Sequence, residues 1–98
     1  MALDDEDRAF LEKTIDTILK QVPVIVQMAR NEGYQKHSQY KEADDFVLGI
    51  ATGVIYGAFI QYFVTRQQRQ PTDDEVTEAN QVILRRMREI KDAIFNCG

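Results

Sequence analysis

The chain has 98 residues, 44% of them hydrophobic and 29% charged, with a net charge of −4. That suffices for one helical domain over residues 1–98 with a single modest core, and it is too apolar for a disordered chain. The acidic balance weighs against nucleic acid as a partner, because affinity for it comes mostly from phosphate contacts.

The opening MALDDEDRAF lacks the basic start and apolar run of a signal peptide, so the cytoplasm is the expected location. The first helix is predicted to begin at Asp4, Asp5, Glu6 and Asp7, whose charge complements the positive end of the helix dipole. Consecutive acids point in different directions around a helix, which makes them poor metal ligands. Leu11, Ile15, Ile18, Val22, Ile25 and Ala29 then recur at steps of four and three, forming one apolar seam. Pro23 interrupts it, removing a backbone donor and disfavouring helical geometry at Val22. The helix is therefore expected to kink or split at residues 20–23, with the kink favoured because the seam keeps its phase. Gly33 is expected to end it in a left-handed cap.

Tyr34 to Tyr40 is a polar connection carrying the only histidine, His37, with no second histidine or cysteine nearby to suggest a metal. Ser38 is a plausible N-cap for a second helix from about Gln39 to Gln68. At its centre lies Phe46 to Val64, FVLGIATGVIYGAFIQYFV, 19 residues without a charge. A helix of that length measures ~28 Å, close to the thickness of bilayer hydrocarbon. The polar Thr52, Tyr56, Gln61 and Tyr62 interrupt it, and Lys36 and Lys41 before it match Arg66 and Arg69 after it, so flanking charge sets no orientation. A buried helix in a soluble core is the preferred reading, with a single membrane span as the alternative.

Gly49, Gly53 and Gly57 stand four residues apart, on one side of that helix. Each costs ~1 kcal/mol relative to alanine in a helix interior, so a closely packed neighbour should compensate. Two neighbours fit equally well: another helix of the same chain, or the same stripe on a second copy.

Gln70-Pro71 makes a sharp turn, and Thr72 with Glu75 forms a capping box for a third helix. Val76, Ile83 and Ile90 give that helix one seam position, Asn80, Met87 and Ile94 the other, and Ala79 and Val82 broaden the stripe. Asn80 either fixes register from an apolar face or reaches solvent near the helix start. Arg85, Arg86, Arg88 and Lys91 read as a solvated face, with Arg85–Glu89 and Arg88–Asp92 as i,i+4 pairs. Cys97 is the only cysteine, so it makes no internal disulfide.

No phosphate loop, dinucleotide fingerprint or nucleophile elbow is present, which points away from an enzyme, and no cofactor is expected. Glu42-x-x-Asp45 opens the apolar helix and resembles part of the acidic pattern of all-α nucleotide pyrophosphohydrolases of the MazG type. The resemblance implies a magnesium site completed by an acidic pair on an earlier helix. Here the inward positions of that helix are Leu11, Ile15 and Ile18, while Glu12 and Asp16 lie on its outer side, and family membership does not follow from four residues.

The fold expected is all-α: three long antiparallel helices around an apolar central one, which needs more cover than two neighbours give. A homodimer supplies that cover most simply. The leading functional expectation is a small interaction or assembly protein. A metal-dependent nucleotide hydrolase using Glu42 and Asp45, and a membrane-anchored subunit, are the alternatives.

Overall fold

A computed structural model describes residues 2–31, 33, 36 and 42–97. They form four helices, and no strand occurs among the described residues. Helix α1 spans Asp5–Arg30, α2 Ala43–Gln67, α3 Asp73–Arg85 and α4 Met87–Phe95. The bundle is elongated, 42 × 25 × 18 Å, and its most extensive contact is that of α1 with α2.

Helix α1 starts where the acidic cluster predicts, with Asp4 as N-cap accepting from the Asp7 N–H at 2.9 Å. It runs unbroken through Pro23, so the helix does not split there. Pro23 and Val24 are both exposed, which puts the proline ring on the outer face, away from the core. Leu11, Ile15, Ile18, Val22 and Ala29 are buried as the seam requires, but past the proline Val26 replaces the half-buried Ile25. The helix ends at Arg30 on an extended Asn31, and Gly33 is helical rather than a left-handed cap.

Helix α2 begins at Ala43 after an extended Glu42, four residues later than expected. Its 25 residues measure ~37 Å. His37, Ser38 and Lys41 lie outside the described residues. Gln68 closes α2 in the left-handed region at φ 58°, an uncommon conformation for a residue with a Cβ.

The capping box forms as predicted. Thr72 N–H donates to Glu75 Oε1 at 2.8 Å, and Glu75 N–H donates to Thr72 Oγ1 at 3.2 Å. The third helix is not continuous, however. It breaks at Arg86 (φ −99°, ψ 6°), giving two helices where one long one was expected. The Arg86 side chain ties this point to α1. It reaches α1, donating to the Glu12 carbonyl at 3.1 Å and to Asp16 at 2.6 Å, and it also pairs with Glu89 at 2.7 Å. The core stripe survives the break, with Ala79, Val82, Ile83, Ile90 and Ile94 buried and Asn80 exposed.

A second ionic junction ties the far end of α2 to both neighbours. Asp7 is 1% exposed and receives two hydrogen bonds from Arg66, at 3.0 and 2.9 Å, and one from Gln67 at 3.2 Å. Arg66 also pairs with Asp4 and with Glu6. Next to it, Arg69 donates twice to the buried Glu75, at 2.8 and 3.0 Å, and lies 4.9 Å over the Phe63 ring. The Glu75 carboxyl is held at about 2, below its ordinary 4.5, chiefly by the hydrogen bond from Arg69 and also by Thr72.

A carboxyl depressed in the folded state stabilises above its unfolded value and loses that contribution as pH falls through the folded one. Replacing Glu75 with glutamine should therefore destabilise the protein at pH 7. The gap from wild type should close as pH falls from 4.5 to about 2. Urea midpoints across that range test this, and a pH-independent gap would contradict it.

Candidate helix-packing interface

Four-residue spacing divides α2 into four rows. One row, Val47, Ala51, Ile55, Phe59 and Phe63, is buried against the other helices. The row diametrically opposite is Gly49, Gly53, Gly57, Gln61 and Thr65, and every member is exposed. Between them lie two half-covered rows. On one side, Leu48, Thr52 and Tyr56 border α3 and α4; on the other lie Phe46, Ile50, Val54, Ala58 and Tyr62, the last stacked on Phe10 of α1. Val54 is 47% exposed. The Thr52 hydroxyl donates back to the Leu48 carbonyl at 2.9 Å, so this face offers few polar groups.

Among the described residues nothing packs closely on the glycines. A Cβ built on Gly49, Gly53 or Gly57 would meet nothing within 4 Å. Of the two neighbours considered from the sequence, no helix of the same chain packs closely on the glycines among the described residues. The three glycines cost the helix ~3 kcal/mol, with no close contact among the described residues to offset it. Only 28% of its most apolar 18-residue window is buried.

An open groove of about 450 Å³ runs along this face. Gly49, Gly53 and Tyr56 form its α2 wall, and Asn80, Leu84 and Met87 the opposite one. Leu84 is 64% exposed at the rim. Sequence periodicity placed Asn80 on the apolar side but gave no reason to single out Leu84. Its signal was the four-residue step from Asn80.

The acidic candidates fare differently. Glu42 is an exposed N-cap making no side-chain capping bond, and Asp45 is exposed in the first turn. Asp45 borders a hollow of about 150 Å³ with Asp44, Leu48, Lys91, Ile94 and Phe95. The α1 carboxylates Glu12 and Asp16 are held by Arg86. Among the described residues no group of three or more His, Cys, Asp or Glu is placed to hold a metal ion. The basic cluster is likewise dispersed, with Arg86 turned to α1 and Arg85 3.6 Å from Glu12 instead of paired with Glu89. Cys97 is a half-buried free thiol.

The fold and this face define a small all-α bundle with an uncovered apolar helix side. Comparison of the chain with models of known protein families, with curated proteins and with solved structures finds no match.

A ligand that binds only the folded state raises its melting temperature. Millimolar magnesium should leave the melting temperature of the wild type and of Glu42→Ala equal and unchanged. A rise in wild type that Glu42→Ala abolishes would establish a metal site at the start of α2.

Proposed function

We propose that this protein is a small helical assembly protein that works as a homodimer through the outward face of α2. The observation that carries this reading is the exposed glycine row, flanked by apolar side chains and opposite the core. Monomeric soluble proteins rarely leave contiguous apolar patches larger than a few hundred Å². Glycine lowers the height of a helix surface, so a partner helix can approach closely and recover in contact what the glycines cost.

The membrane reading meets an obstacle in α1. Helix α2 is long and apolar enough to cross a membrane, with mean hydropathy 1.7 over its best window. Yet α1 lies along it with Lys13, Asp16 and Lys20 on its exposed side. Carrying such residues to the bilayer centre costs ~3 kcal/mol each on insertion scales. A soluble dimer in the cytoplasm is therefore the reading adopted. The hydrolase alternative would need further carboxylates gathered at Glu42 and Asp45, and among the described residues no group of three or more His, Cys, Asp or Glu is placed to hold a metal ion.

Gly53→Leu tests the proposal, because the monomer has room for the new side chain and leucine favours helix by ~0.8 kcal/mol over glycine. The variant should keep its helical circular dichroism while its mass in solution falls to that of a monomer. A variant that remains dimeric would contradict the assignment of this face.

A further inference from the structure

The dimer reading leaves the arrangement of the two copies open, and the following inference rests on that reading. We propose that the groove between α2 and α3 is filled by a second copy of this chain docked antiparallel about a twofold axis beside Gly53. In that arrangement the acidic end of α3 in each copy lies over the basic residues of α4 in the other.

The first support is the pattern of the outward row, which reads Asp45, Gly49, Gly53, Gly57, Gln61 from one end to the other. Parallel pairing of two such rows sets Asp45 beside Asp45, a like-charge contact. Antiparallel pairing sets Asp45 beside Gln61, whose amide N–H groups donate to a carboxylate. Shifting the pairing by whole helical turns changes which residues meet. Only the register centred on Gly53 places every glycine opposite a glycine, with Gly49 against Gly57. A twofold contact of this kind is self-complementary by construction.

The second support is charge complementarity beside the groove. Asp73, Thr77, Asn80, Leu84, Arg88 and Lys91 are all exposed, at steps of four and three that keep them on one side of α3 and α4. This row is acidic at its start, basic at its end, and carries the groove residues Asn80 and Leu84 in the middle, level with Gly53. None of Asp73, Arg88 and Lys91 takes part in an ion pair among the described residues, unlike Arg66, Arg69, Arg85 and Arg86. A twofold axis in the interface plane, perpendicular to α2, keeps the two α3 helices on the same side and reverses one against the other. Asp73 of one copy then meets Arg88 and Lys91 of the other, and the exposed Leu84 of each copy enters the shared groove. Parallel docking, about an axis along α2, would put the two α3 helices on opposite sides of the contact and leave the charges of this row without partners across it.

The experiment uses two full-length variants with opposite changes. Arg88→Glu with Lys91→Glu makes the row acidic throughout, and Asp73→Lys with Thr77→Lys makes it basic throughout. In low-salt buffer each alone should dimerise at least ~10-fold more weakly than wild type, since like charges placed opposite one another oppose association. An equimolar mixture should recover a heterodimer, seen by native mass spectrometry. If both variants dimerise as wild type does, or if the mixture fails to pair, the antiparallel arrangement is wrong while the dimer stands. A monomeric wild type would overturn the dimer reading and this inference together.

Cysteine cross-linking gives an independent reading that tolerates loss of either charge variant. In a Cys97→Ser background, Gly53→Cys should form a disulfide-linked dimer on oxidation and Asp45→Cys should not, since the Asp45 positions lie at opposite ends of the contact. Self-cross-linking through Asp45→Cys would mark parallel docking and overturn the proposal.

Discussion

A helix apolar on every side cannot be covered by neighbours on one side only, and the rest of this structure follows from that mismatch. Helix α2 has four rows of side chains and buries one completely. Its core row ends in Phe59 and Phe63, both fully buried, so the inner side is packed as a core should be. The outer side carries three glycines, Val54 and half-covered aliphatic residues. Apolar area left in water forgoes ~25 cal/mol per Å². The same face is thus the weakest part of the monomer and the part best suited to another helix.

The charged groups hold the bundle together without touching that face. One junction, built on Arg66, Arg69, Asp7 and Glu75, locks the end of α2 to the starts of α1 and α3. Another, built on Arg86, fastens the α3–α4 break to α1. Asp7 and Glu75 are buried, so removing the arginine that faces either one would leave a buried carboxylate without its counter-ion and destabilise the bundle. Helix termini and inter-helix seams carry the polar work. The middle of α2 carries none.

Much of the fold was legible because helix signals are local. The capping box at Thr72 and Glu75, the acidic start of α1 and the seam from Leu11 to Val22 all depend on residues within a turn or two of one another. What periodicity gives is a side of a helix, never the environment on that side. The spacing of Gly49, Gly53 and Gly57 therefore showed that they share a face and left open whether the chain covers it. The break at Arg86 carries no local sign such as proline or glycine, and the bonds of its side chain to Glu12 and Asp16 lie on another helix, out of reach of any periodicity. Glu75 was read as a capping residue alone, and its pairing with Arg69 across the turn added a role no local pattern marks. At Pro23 the unbroken phase of the seam favoured one helix over two, and α1 does run through the proline, with Val22 and Val26 buried on either side.

The central claim is that the outward face of α2 is buried between two copies in solution. Light scattering on the wild-type protein eluting from a size-exclusion column in detergent-free buffer measures this directly, because it gives absolute mass without reference to shape. With a chain mass of 11.3 kDa, the account predicts about 22.6 kDa, twice that value, falling toward one chain only on strong dilution. A mass of 11.3 kDa at every concentration, in soluble and folded protein, would contradict it.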